Sequence, residues 1–206
     1  MEIFIYLFAA LFSVLNPIGT VPIFVGLTQG YSKAERSKVS LLTSFNVFII
    51  LIISFFIGQY VLSFFGITIT ALRIAGGIII TSSGFGLLNG NFSKNKGINK
   101  KVQKEVENRH DIALTPLAMP MLAGPGSISL LIAYYQELKE SGEVISTYEI
   151  VSSCIAILTV AFAIYIILRS AHYLANILGS SGIVAISRII GFLTIAIGIQ
   201  IGRAHV

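Results

Sequence analysis

The sequence predicts an all-α polytopic membrane protein: six transmembrane helices forming two inverted three-helix repeats with broken first helices. Three observations carry that prediction. Of 206 residues, 55% are hydrophobic and only 11% charged, with a mean hydropathy of +0.87, against about 25% charged in soluble domains. Six apolar stretches each approach the roughly 20 residues that cross a bilayer. Proline and glycine interrupt two of them in corresponding places, Asn16-Pro17-Ile18-Gly19-Thr20-Val21-Pro22 and Pro120-Met121-Leu122-Ala123-Gly124-Pro125-Gly126.

The spans run about Ile3 to Leu27, Val39 to Phe65, Ile69 to Leu88, Ile112 to Tyr135, Ile150 to Leu168 and Ile183 to Ile201. The first is read as a retained span, because Glu2 stands where a signal peptide carries a basic region and no A-x-A-like cleavage site follows. Asn89 to Asp111 is the long polar stretch. It divides the chain into a first repeat (1–90), a basic linker (91–110) and a second repeat (111–206). Cys154 is the single cysteine, so no intrachain disulfide can form.

Lys and Arg fall mainly in alternate connections: Lys33, Arg36 and Lys38 in the first, Lys94, Lys96, Lys100, Lys101, Lys104 and Arg109 in the third, and Arg169 near the fifth. The positive-inside rule places these connections in the cytoplasm and both termini outside, in a plasma (inner) membrane. The net charge of +5 is therefore a topological signal. Nucleic-acid binding is the weaker reading, and the linker is expected to meet anionic lipid.

Two further stretches repeat: Ala71-Leu72-Arg73-Ile74-Ala75-Gly76-Gly77 follows Gly66-Ile67, and Ile186-Ser187-Arg188-Ile189-Ile190-Gly191 follows Gly182-Ile183. Each half has three spans, an odd number, so the second half must enter the membrane from the opposite side. That is the inverted-repeat arrangement of transporters. Under it Arg73 and Arg188 become symmetry mates near opposite faces, either gating residues or interfacial anchors. Pro17 can be matched to Pro120 or to Pro125.

A broken helix at bilayer depth exposes N–H and C=O groups that lipid cannot satisfy, so breaks survive where they face a polar cavity or ligand. Asn16-Pro17 can start a half-helix with Asn16 as N-cap, and Gly124-Pro125-Gly126-Ser127 can do likewise. Half-helix N-termini suit a carboxylate, and unwound carbonyls suit an ammonium group or Na⁺. A zwitterionic amino acid matches both. The competing account is a packing kink, which two breaks in equivalent positions disfavour. Thr43, Ser44 and Asn46 are secondary lining candidates, and Gln59 and Gln200 are assigned to the membrane surface without a role. The small face of the third span, from Gly76 to Gly86, is expected to serve helix packing.

Enzyme chemistry finds no setting: His110, His172 and His205 are scattered, and no HExxH, paired intramembrane carboxylates or nucleophile motif is present. No cofactor, metal ligand set or catalytic residue is expected. With no carboxylate at mid-bilayer, coupling to Na⁺ or H⁺ stays open.

The stretches Asn16 to Phe24, Leu72 to Gly77 and Pro116 to Ile128, followed by Arg188-Ile189-Ile190-Gly191, resemble the MarC family of integral membrane proteins over essentially the whole chain. The resemblance implies six spans and, from the SnatA-type members, transport of small neutral amino acids such as glycine and alanine. It implies a substrate site built from Asn16, Pro17, Gly19, Thr20 and Val21 on one side and Ala123, Gly124, Gly126 and Ser127 on the other. The expected function is alternating-access transport of such an amino acid. A channel or passive pore, or a non-transporting membrane partner acting through its basic linker, are the alternatives, and a homo-oligomer is compatible with either. Family members continue beyond the equivalent of Gln200, whereas Ile201 to Val206 matches the translation of a sequencing-adaptor read-through. That hexapeptide is expected to be an assembly artefact, so Arg203 and His205 are given no functional weight.

Overall fold

A computed structural model describes residues 2–28, 30–89, 111–140 and 146–203. The basic linker from Lys94 to Arg109, and with it the expected lipid contact, lies outside the described residues, as does the tail beyond Arg203. The described chain is helical: α1 (Glu2–Leu15), α2 (Pro17–Leu27), α3 (Lys33–Phe65) and α4 (Ile69–Leu88), then a short 3₁₀ turn (Asp111–Ala113) and a π-helix (Leu114–Leu122). After them come α5 (Pro125–Glu140), α6 (Thr147–Arg169) and α7 (Ala171–Arg203).

Five segments among the described residues are long and apolar enough to cross a membrane: Ile3–Val21, Lys33–Phe65, Thr70–Leu88, Thr147–Arg169 and Val184–Arg203. The expected fourth span, Ile112 to Tyr135, is instead divided into the π-helix and α5. Neither piece reaches spanning length by itself, because the chain between them leaves helical geometry at Ala123.

Local chemistry accounts for the helix starts. Ser32 and Glu35 form a reciprocal capping box at the start of α3, the Ser32 amide donating to Glu35 Oε2 at 2.8 Å. Ser146 and Glu149 do the same for α6 at 2.9 Å. One constant offset in numbering carries Ser32 to Ser146 and Glu35 to Glu149, and the same offset carries Gly77 to Gly191 and Gly84 to Gly198.

Those four glycines set the central contact, between α4 and α7. A Cβ on Gly77 would lie 2.6 Å from Gly198 O, and one on Gly84 would lie 2.8 Å from Gly191 O. The reverse distances, Gly191 to Gly84 O and Gly198 to Gly77 O, are 2.8 and 2.9 Å. Rising numbers on one helix meet falling numbers on the other, so the pair is antiparallel, with backbones as close as glycine alone permits. Around it α3 packs on α6, α2 on α7, α5 on α4, α1 on α6 and α5 on α3. Exchanging the halves carries the α2–α7 contact onto α5–α4 and leaves α3–α6 unchanged. Within α7, Gly179 departs from helical geometry (φ 60°, ψ 176°), which separates a short leading helix from the span that starts at Val184.

The two ends of the bundle differ in charge. Lys33, Arg36, Lys38 and Arg169, with Glu35, gather where α3 begins and α6 ends, while Glu137 and Glu149, with Lys139, stand where α5 ends and α6 begins. At the basic end Thr28 Oγ1 lies 3.0 Å from His172 Nε2, joining the end of α2 to the start of α7, and Phe24 meets the imidazole edge-on. Burial, and then the positive charge of Arg36, push the His172 pKa below its usual 6.5.

Gly191→Val should force α4 and α7 apart and destabilise the bundle by about 1–3 kcal/mol, read from unfolding in detergent. His172 has a depressed folded-state pKa, so its contribution is fully present above the unfolded value of 6.5 and is lost as pH falls towards the folded value. Melting temperature should therefore drop between about pH 7.5 and 5.5, and His172→Gln should flatten that part of the profile.

Candidate functional site

Pro17 removes the N–H that would bond Ser13 O in a continuous helix. The amide of Asn16 still closes the last turn of α1 on Phe12 O at 3.1 Å. Asn16 then turns left-handed (φ 45°, ψ 64°), the one non-glycine residue with positive φ among those described, a conformation Asn tolerates better than most side chains. Its Oδ1 accepts the Gly19 amide at 3.1 Å, capping α2, and Thr20 Oγ1 donates to Asn16 O at 3.2 Å. The stranded Ser13 carbonyl finds a partner in α7: Thr194 Oγ1 lies 3.1 Å from Ser13 O and 2.8 Å from Ile190 O, and Ser13 Oγ lies 3.1 Å from the same hydroxyl.

The second break is built differently. Pro116 and Pro120 stand one α-helical turn apart, where the ring of Pro120 would strike the carbonyl of Pro116; the chain widens into a π-helix there. Nine π-helical residues is long for a geometry found mostly as single turns, often at functional sites. Its last bond runs from the Ala123 amide to Ala118 O at 2.8 Å. Ala123 (φ −81°, ψ 69°) then centres an inverse γ-turn in which the Gly124 amide donates to Leu122 O at 2.9 Å. Pro125 starts α5, and Ser127 Oγ donates back to Gly124 O at 2.9 Å.

Both half-helices thus begin on proline, Pro17 and Pro125, whereas Pro120 lies inside the π-helix. The breaks are neighbours. A Cβ on Gly126 would lie 2.9 Å from Ile80 Cγ1 and 3.6 Å from Val14 Cγ1, two residues before Asn16. Each break also rests on the last helix of the opposite half, Ser13 on Thr194 and Gly126 on Ile80.

Asn16, Thr20, Ala123 and Ser127 are 2%, 0%, 0% and 1% exposed, and Pro17, Gly19, Val21 and Gly126 are buried with them, so this conformation is closed around the breaks. Gly124 is half-buried. Inside the closed region Asn16 Nδ2 is buried without a hydrogen-bond partner. It sits directly over Gly19, where an added Cβ would collide with it. Of the first-turn donors, Gly19 is used by the cap and the prolines have none, which leaves the amides of Ile18, Gly126 and Ser127. Among the lesser candidates, Ser44 Oγ bonds its own helix at Leu41 O, Asn46 is half-buried, and Thr43 Oγ1 is buried without a partner.

The two arginines differ. Arg73 is 5% exposed and donates to Ala133 O at 3.4 Å, whereas Arg188 is exposed. The offset that relates the glycines and capping boxes carries Arg73 to Ser187, one residue short of Arg188. One residue is about 100° of helix rotation, enough to turn Arg188 out of the bundle. Ser13 and Thr194 went unremarked in the sequence; Ser13 was detectable as the residue four before a proline. Gln200 lines a cavity with Arg73, a position that its place near the chain end concealed.

A family model for MarC integral membrane proteins matches residues 1–204. The chain belongs to the MarC family. A "UPF0056 membrane protein" of Buchnera aphidicola subsp. Schizaphis graminum is 42% identical over 203 residues, covering 97% of this chain and 89% of the relative. The "UPF0056 inner membrane protein MarC" of Escherichia coli (strain UTI89 / UPEC) is 38% identical over 191 residues, covering 90% and 85%. No solved structure matches the chain. The MarC-family assignment and the five spanning segments make this a multi-pass membrane protein. Three or more His, Cys, Asp or Glu side chains do not come together into a metal-binding group among the described residues.

Thr194→Val keeps the shape of the side chain and strands Ser13 O, so it should cost about 0.5–2 kcal/mol in detergent unfolding. Thr194→Ser, which restores the hydroxyl, should recover most of that loss.

Proposed function

We propose that this MarC-family protein is a carrier of small neutral amino acids of the glycine and alanine kind, working by alternating access around the two helix breaks. The observation that carries the reading is the buried, unpartnered Asn16 Nδ2 at the start of one half-helix, in a break whose neighbour Val14 packs near Gly126 of the other. Leaving a buried polar group without a partner costs about 1–3 kcal/mol, and a bound carboxylate would satisfy it together with the Ile18, Gly126 and Ser127 amides. Carbonyls freed where the π-helix ends would face the ammonium group.

The closed packing around the breaks favours a carrier over a pore, since a solute can reach them only if helices move. Gly77, Gly84, Gly191 and Gly198 provide a close, side-chain-free contact on which the halves can rock. The constant offset, the antiparallel α4 and α7 and the exchangeable contact pattern support two inverted repeats, with the split segment between Asp111 and Glu140 as a sixth crossing. The charge difference between the ends supports an inner-membrane orientation with the basic linker cytoplasmic and both termini outside. No enzymatic activity and no cofactor enter this reading, and coupling to Na⁺ or H⁺ is a property for the same assay.

Asn16→Gly keeps the left-handed backbone without strain and deletes the amide. It should insert and fold normally yet lower glycine or alanine uptake into proteoliposomes at least about tenfold, the equivalent of one charge-assisted hydrogen bond. Gly126→Val, whose side chain would meet Ile80 and Val14, should also abolish uptake. Wild-type rates in a well-folded Asn16→Gly protein, or flux that never saturates, would refute the carrier.

A further inference from the structure

At the end of the bundle away from the basic cluster, two adjoining cavities share Tyr6, Tyr134, Glu137 and Gln200. The outer one, about 480 Å³, is also lined by Glu149. The inner one, about 70 Å³, ends on Arg73, and holds roughly five water-sized spheres, which admits a compact solute and excludes a bulky one. Arg73 is 5% exposed, and among the described residues its guanidinium makes one hydrogen bond, to Ala133 O at 3.4 Å. A guanidinium carries five donors in a fork that fits a carboxylate. Withdrawing that charge from water is costly unless it is paired.

We infer that these cavities form an access vestibule that recognises a zwitterion before it reaches the helix breaks, with its carboxylate on Arg73 and its ammonium group toward Glu137 and Glu149. Both charges are present along it: Arg73 lies in the narrow, buried cavity, Glu137, exposed on α5, lines both cavities, and Glu149 lines the outer one alone. Glu149 has one oxygen engaged by the Ser146 amide and keeps the rest of its acceptor capacity. Tyr6 and Tyr134, 6.3 Å apart between ring centroids, line both volumes. The vestibule gives Arg73 the role that its burial demands, and it is separate from the Asn16 site. As a station on a transport path it rests on the carrier reading; as a binding site it does not.

Calorimetric titration of the purified full-length protein in detergent separates the two. The probes are glycine, acetate, glycinamide and glycerophosphoethanolamine. Glycine should bind, Arg73→Gln should weaken it at least about tenfold, and Arg73→Lys should recover part of the loss. Glu137→Gln, at an exposed position, should weaken glycine and leave acetate unchanged. Asn16→Gly should lose uptake but keep Arg73-dependent binding. If the wild type shows no amino-acid uptake yet binds glycine through Arg73, the vestibule stands and the carrier reading falls. Glycine affinity unchanged in both Arg73 variants, no glycine binding at all, or glycinamide binding as well as glycine would overturn the inference. Glycerophosphoethanolamine binding more tightly than glycine would also overturn it, by assigning the cavity to a lipid headgroup.

Discussion

Every backbone N–H and C=O inside a bilayer must find a partner within the protein, and prolines in two apolar segments deny that partner locally. The architecture around the breaks follows from how the deficit is met. At Pro17 the Ser13 carbonyl shares the Thr194 hydroxyl of the opposite half of the chain with Ile190 O, and the next turn is started by the Asn16 side chain. At Pro120 the helix widens to i−5 bonding and stops at a γ-turn before Pro125 restarts it. A local defect in one half is thereby completed by the other half. The two breaks come together because each rests on the last helix of the opposite half.

That mutual dependence needs the last helices, α4 and α7, to lie nearly backbone to backbone. Lipid offers no hydrophobic driving force to bring them there, so close van der Waals contact has to supply it. Glycine at Gly77, Gly84, Gly191 and Gly198 supplies that contact, and the antiparallel crossing places Thr194 beside Ser13 and Ile80 beside Gly126. The same register decides the fate of the arginines. Arg73 turns into the bundle against α5, and Arg188, one position out of step, turns away from it.

Electrostatics divides the molecule along its axis. The basic end carries Lys33, Arg36, Lys38 and Arg169, and His172 sits among them with its proton affinity reduced by burial and by Arg36. The other end holds Glu137, Glu149 and a single deeply withdrawn Arg73 around connected cavities. Between the ends the breaks are sealed, with Asn16 retaining one unfilled donor. Between charged ends the molecule therefore holds a closed polar centre beside a seam of glycine backbone contact.

The sequence alone determined the membrane class, five of the apolar spans, the two breaks and the residues at them, because each depends on local quantities: apolar run length, a missing proline N–H, the φ tolerance of Asn and Gly. The capping boxes at Ser32 and Ser146 emerge only in the structure, although their Ser-x-x-Glu spacing is local. Only the tertiary structure decided that Pro125 and not Pro120 starts the second half-helix, that the expected fourth span is divided by a π-helix, that Thr194 meets Ser13, and that Arg73 and Gln200 share a cavity. Those outcomes depend on which face of one helix meets which face of another. A one-residue register difference turns a side chain by about 100°, and a motif match between two repeats cannot resolve that step until backbone contact fixes it.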